Sequence, residues 1–164
     1  MTTSRVSAVR RPRPGRRALI ALMTGAGVLL TPVAAQASTS TAVVASSSAA
    51  QTAVDTALAQ LGDPYVWAAA GPDSFDCSGL TQYAYKAAGV SLPHSSQTQS
   101  TMGTAVAKAD LRPGDLVFFY SPVSHVGMYI GDGKIVHAPT AGDVVKVTNL
   151  SSMPSYNTAR RLVG

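Results

Sequence analysis

The chain has 164 residues, with 13 Lys and Arg against 8 Asp and Glu and a net charge of +5. Six of the thirteen cationic residues are arginines before residue 38, so the remainder holds seven cations against eight acids, a balance of −1. That balance excludes the basic footprint a nucleic-acid partner requires, and with no Glu anywhere, any carboxylate chemistry has to come from Asp.

In chain order, Arg5, Arg10, Arg11, Arg13, Arg16 and Arg17 precede an apolar run, ALIALMTGAGVLL, and then TPVAAQAS. A basic segment, a short apolar segment and a small-x-small site describe a secretory signal peptide. Residues 1–37 are assigned to it, with cleavage after Ala37 in Ala35-Gln36-Ala37. The apolar run falls short of the roughly 20 residues of a spanning helix, so no stable membrane insertion is expected after cleavage. Arg16-Arg17 also resembles a twin-arginine export signal.

Residues 38–50, STSTAVVASSSAA, have no aromatic, no charge and no hydrophobic period, which describes a linker. Residues 51–164 then form one domain, large enough for its own core.

Within that domain, Thr52 to Gly62 is predicted helical and ends in a glycine. The stretch GDPYVWAAAGPDSFD is broken by Pro64, Gly71 and Pro72. A second helix is predicted from Cys77 to a stop at Gly89, with Asp76 or Ser78 as its cap. SSQTQSTM supplies a short third one. After Pro113-Gly114 the texture changes, and DLVFFY, HVGMYI, KIVHA and VVKVTNL read as strands. Gly131-Asp132-Gly133-Lys134 makes a tight hairpin between the second and third, and Arg161-Leu162-Val163 adds an edge strand. Helices followed by an antiparallel sheet give an α+β fold. Trp67, Phe75, Phe118 and Phe119 are assigned to the core, and Asp115 to the turn at Pro113-Gly114.

Cys77 is the only cysteine. In an exported chain a lone cysteine is either a small buried hydrophobe or a reactive thiol. Its place at the first turn of a predicted helix favours reactivity, because unpaired N–H groups and the helix dipole there lower a thiol pKa. A thiolate also needs a base, and the chain has three histidines, His94, His125 and His137. A three-residue loop at 131–133 sets His125 diagonal to His137 on one sheet face. A two-residue turn at Asp132-Gly133, shifted by one, puts the two rings on opposite faces. Spacing alone leaves both open. Cys77, His125 and His137 lack the short-range ligand pairs usual in zinc sites, so no metal and no cofactor is assigned.

The blocks DPYVWAAAGPDSFDCSGL, LRPGDLVFF and SHVGMYIGDGKIVHAP resemble the signature blocks of the NlpC-type peptidoglycan endopeptidases. The resemblance runs from Val54 to about Val147, in that family's order and spacing. It implies a papain-like α+β fold, with Cys77 as nucleophile, His125 as general base and His137 as the group orienting His125. It also implies that Tyr65 and the Cys77 N–H hold the oxyanion, and that Asp76 and Ser78 meet the free amino end of a stem peptide. Helix capping alone also accounts for the last two.

The implied partner is the peptidoglycan stem peptide, cut between the γ-carboxyl of D-glutamate and the diamino acid by a secreted or wall-located monomer. The alternatives are an amidase acting between muramic acid and L-alanine, or a wall-binding module without catalysis. Two departures from the family pattern stand near the expected cleft and bear on substrate preference. Ala68-Ala69 replaces a glycine pair, and His94 in LPHSSQ replaces an arginine.

Overall fold

The computed structural model describes residues 47–164. The signal-peptide assignment to residues 1–37, and residues 38–46 of the linker, lie outside the described residues. The end of the linker is a correction, because Ser48–Ala50 are already helical. Helix α1 spans Ser48–Leu58, and Ser47 caps it by accepting a hydrogen bond from Ala50 N–H at 3.2 Å. Ala50, Ala53, Val54 and Ala57 are its buried residues, a spacing of three and four that makes one narrow face. The small side chains let α1 lie close against α2.

Helix α2 spans Cys77–Ala87 and buries Leu80, Thr81, Ala84 and Tyr85. Asp76, extended at φ −95°, caps it through the N–H of Gly79 at 2.7 Å. At the other end Gly89 adopts φ +81°, Gly89 N–H bonds Lys86 C=O, and Val90 N–H bonds Tyr85 C=O at 2.9 Å. That is a Schellman stop, which needs a residue at ease in the left-handed region. A four-residue helix, α3, spans Ser96–Gln99.

The strands are β1 Thr104–Ala105, β2 Leu116–Phe119, β3 His125–Gly131, β4 Lys134–His137, β5 Lys146–Asn149 and β6 Tyr156–Arg161. They form one antiparallel sheet in the order β1-β6-β2-β3-β4-β5. All four residues of β2 are buried. Leu116 and Phe118 pack towards α1 and α2 with Val126, Met128 and Val136. Val117 and Phe119 face the other way, with Ile135, Leu150 and Ala159. Each fully buried aromatic or branched side chain here is worth about 2–3 kcal/mol relative to exposure.

Two sequence expectations are corrected by this sheet. The last strand is Tyr156–Arg161 rather than Arg161–Val163, and it lies between β1 and β2 instead of at an edge. Its sequence, YNTARR, buries only Ala159, so no apolar alternation announces it. Asp115, buried at 2% exposure, closes its turn through Arg112 N–H and also holds the Arg161 guanidinium through both carboxylate oxygens, at 2.8 and 2.7 Å. That pair fastens the end of β6 to the start of β2.

Candidate active site

The stretch between α1 and α2 folds back on itself by backbone pairing. Val66 N–H bonds Phe75 C=O, Ala69 N–H bonds Val66 C=O, and Asp76 N–H bonds Ala69 C=O. Phe75 is fully buried, but Trp67 is 81% exposed. Trp67 is therefore not a core residue as expected; it stands on the rim of a hollow of about 370 Å³ lined also by Asp76, Cys77, Ser78, His94 and Ser124. The loop is too tight to fold a ring that large beneath itself. Ala68 takes φ +61°, a left-handed conformation that costs a residue with a Cβ about 1–2 kcal/mol, where the family pattern has glycine.

Cys77, the first residue of α2, is half-buried. The backbone N–H groups of Val126, the second residue of β3, and of Ser78 and Cys77 lie near enough to its sulfur to favour the thiolate. Burial pushes the thiol above its ordinary pKa and the Asp76 charge adds to this, while the N–H groups oppose them. The expected lowering by the helix N-terminus is thus outweighed. The Asp76 carboxylate caps that same terminus, and its negative charge opposes the positive end of the dipole near the sulfur.

His125 opens β3 and His137 closes β4. The hairpin between them follows neither sequence alternative. Gly131 pairs with Lys134 around a two-residue turn, with Asp132 at φ +49° and Gly133 at φ +67°. That is the type I′ geometry matching strand twist. Tyr129 nevertheless pairs with Ile135, which leaves Ile130 as an extra residue in a bulge. The bulge shifts the register by one, undoing the slip. Met128 pairs with Val136, so Gly127 falls opposite His137, and a Cβ built on Gly127 would lie 3.3 Å from His137 Cβ. The two rings come to one face, with His125 Nε2 2.9 Å from His137 Nδ1. On the far side His137 Nε2 lies 3.0 Å from Thr148 Oγ1 on β5. Sequence reasoning missed Thr148; its only signal was its place in the strand next to His137.

His125 and His137 are 8% and 3% exposed. Burial first, then the neighbouring His137, lowers His125 to about 4. Burial first, then Lys146, lowers His137 to about 4. Both rings are neutral at physiological pH. In the unfolded chain they titrate near their ordinary 6.5, so on acidification the unfolded state binds protons first. Stability is therefore full above pH 6.5, declines below it, and its imidazole contribution is gone below about pH 4. A unit of pKa shift is worth about 1.4 kcal/mol, and the first proton the pair resists is worth about 3 kcal/mol. The urea midpoint is expected to fall steadily from pH 7 to pH 4.5. A midpoint flat over that interval would show the rings to be solvated. Asp143, held below the ordinary carboxylate value by its bond to Lys146, titrates below this window.

The remaining site residues fall close by. Tyr65 is half-buried, and the charges of Cys77 and Asp76, after burial, raise its phenol pKa. Asp76 and Ser78 are each 6% exposed, with Ser78 Oγ donating to Asp76 Oδ1 at 3.3 Å. A second hollow, about 360 Å³, is lined by His125, His137, Tyr120, Lys146, Thr148 and Met153. The first hollow borders Cys77 and this one borders His125 and His137. A larger hollow of about 830 Å³ lies along α2 near Tyr83, Lys86 and Leu92, and none of Cys77, His125 and His137 borders it.

The NlpC/P60 family pattern matches residues 62–162, the stretch that contains all of these side chains. The chain belongs to the NlpC/P60 family. Its fold is the papain-like α+β fold of that family. The chain is similar to a Mycobacterium tuberculosis protein named "Probable endopeptidase Rv2190c", 50% identical over 108 residues, which are 66% of this chain and 28% of that protein. It is similar to the gamma-D-glutamyl-L-lysine dipeptidyl-peptidase of Bacillus cereus, 42% identical over 113 residues, 66% of this chain and 34% of that enzyme. The solved structure of the peptidoglycan hydrolase RipB from Mycobacterium tuberculosis superposes with a TM-score of 0.65 at 29% identity, covering 71% of this chain and 65% of RipB. The chain thus spans about a third or less of the two curated relatives, and the shared part is the NlpC/P60 domain.

Proposed function

We propose that this NlpC/P60 domain is a peptidoglycan hydrolase, a cysteine endopeptidase that cuts the stem peptide between γ-D-glutamate and the diamino acid. The observation that carries the reading is the line of hydrogen bonds from His125 through His137 to Thr148, with the N–H of Val126, next to His125, near the sulfur of the cysteine that starts α2. The relatives' names, which speak of an endopeptidase, a γ-D-glutamyl peptidase and a peptidoglycan hydrolase, support it.

The proposed roles require one set of tautomers, which the ring contacts accommodate. His125 uses Nε2 towards His137, so Nδ1 is the nitrogen left to serve the sulfur. For Nδ1 to accept a proton, Nε2–H must donate to His137 Nδ1, and His137 Nε2–H must then donate to Thr148 Oγ1. His137, lowered to about 4, remains a neutral acceptor. It steadies the imidazolium without removing its proton.

With the thiol raised and His125 lowered, the resting pair is neutral, and the proton moves as the bond forms. Cys77 Sγ attacks the γ-carbonyl carbon and its proton passes to His125 Nδ1. The tetrahedral oxyanion takes the Cys77 N–H and the Tyr65 hydroxyl. His125 then gives its proton to the leaving amine as the C–N bond breaks, leaving a thioester. Water attacks that thioester with His125 again taking a proton, and the carboxylic acid and free thiol are released. Asp76 and Ser78 shape the subsite on the acyl side, and the hollow beside Lys146 and Thr148 takes the leaving diamino acid.

Digestion of purified wall followed by mass spectrometry tests the reading. The expected products keep L-Ala-D-Glu on muramic acid and release fragments that begin at the diamino acid. Release of whole stem peptides would make the enzyme an amidase. Unchanged wall under reducing conditions would leave a binding module. We also propose export to the cell wall, with residues 1–37 removed. Amino-terminal sequencing of secreted protein is then expected to begin at Ser38, and a dominant species retaining Arg16-Arg17 would overturn it.

A further inference from the structure

The Asp76 carboxylate, its side chain 9% exposed, is surrounded by donors of this chain. Oδ1 accepts from Gly79 N–H at 2.7 Å and Ser78 Oγ–H at 3.3 Å, and Oδ2 accepts from Ala68 N–H at 3.0 Å. His94 Nε2 then lies 2.8 Å from both oxygens. A carboxylate has about four lone-pair sites, and these donors claim them. Three belong to α2 and the loop before it, which are packed in place. His94, with 28% of its side chain exposed and also lining the hollow, is the one of the four donors that comes from outside α2 and the loop before it.

Among the described residues lining this hollow, Asp76 is the only carboxylate; the rest of its polar lining is Ser78, Ser95, Ser96, Gln97 and Ser124. A charged amino terminus entering here meets hydroxyls and amides, with its natural counter-ion already sealed under an imidazole. An ammonium stripped of water without a counter-ion binds poorly. An amide N–H asks only for a neutral acceptor, which a serine oxygen provides. Past that point the hollow opens at Trp67, whose ring is 81% exposed and offers a flat apolar rim for whatever is joined to the amino end.

We propose that His94 occupies the place a substrate ammonium would take, so that this enzyme prefers stem peptides whose amino end is acylated, as when still joined to the glycan, over stem peptides with a free amino terminus. The inference rests on the hydrolase reading above. It revises the role that the family resemblance implied for Asp76 and Ser78, which here hold the loop and His94 together.

The test compares one stem tetrapeptide in two forms, with a free L-alanine amine and with that amine acetylated, on the full chain after export. The acetylated form is expected to show a kcat/KM about tenfold or more higher. In His94→Gly the carboxylate is uncovered, and the order is expected to level or invert, through a drop in KM for the free amine larger than any change in kcat. His94→Gln restores an N–H donor at the same place and is expected to keep the original order. A wild-type preference for the free amine, or a ratio unmoved in His94→Gly, would overturn the inference while leaving the hydrolase reading standing. If neither peptide is cut and wall is not digested, the hydrolase reading falls and takes this inference with it.

Discussion

Cys77→Ala and His125→Ala are each expected to lower turnover of wall peptides by about four orders of magnitude or more, with the fold intact. The sulfur is the only thiol in the chain, and His125 is the ring placed with a free nitrogen at the start of β3. In the proposed mechanism Cys77 forms the thioester and His125 carries its proton. Because the two act in the same step, the double variant is expected to be barely slower than either single one, and losses that multiply would refute a shared step. His137→Ala is expected to be milder, about 10- to 100-fold, since it removes only the acceptor that sets the tautomer of His125. Thr148→Val is expected to be milder still, as it acts one bond further out. Initial rates on a soluble stem peptide give all five values. Full activity in His137→Ala would remove His137 from the mechanism.

Gly79→Ala is expected to destabilise the domain by about 2–3 kcal/mol, although helix propensity alone predicts the opposite. Alanine in place of glycine in a helix interior gains about 1 kcal/mol. At Gly79, however, the new Cβ would sit 2.0 Å from Ala69 O and 3.0 Å from both Ala69 C and Ala70 Cα. These are backbone atoms, and Ala69 C=O is already held by Asp76 N–H at 2.8 Å. Overpacking against a fixed backbone costs about 1–3 kcal/mol and sometimes more, so the clash wins. Relief requires α2 to move, carrying Cys77, or the loop to move, carrying Ala68 away from Asp76. Activity should therefore fall along with stability. A melting temperature lower by about 10 °C, with reduced turnover, is the expected result; an unchanged or higher melting temperature would show that the loop yields freely.

Much of this molecule is local and so was legible in the sequence. Asp76 before Cys77 and Gly89 after Ala87 bound α2 through caps that span only a few residues. Leu116–Phe119 and His125–Gly131 declare themselves as strands by their apolar, β-branched and aromatic content. Gly133 and Asp132 between strands announce a hairpin. Cys77, His125 and His137 stood out as candidates because the chain has so few residues of those types, and because three short blocks resemble a known family in order and spacing.

What the sequence left open depends on partners distant along the chain. Whether the two histidines share a face hinged on one residue of register, and the Ile130 bulge, not the turn, decided it. β6 is polar and invisible to hydrophobic pattern; its place between β1 and β2 comes from pairing with segments some 40 to 60 residues away, helped by Arg161 on Asp115. Trp67 is outside because its loop is pinned tightly to Phe75 and Asp76. The raised thiol and the lowered imidazoles follow from burial, which adjacent residues do not reveal. His94 meets Asp76 across 18 residues. Caps, turns and strand propensity are interactions between neighbours, and a sequence states them directly; register, burial and the sharing of one carboxylate exist only once the chain has closed on itself.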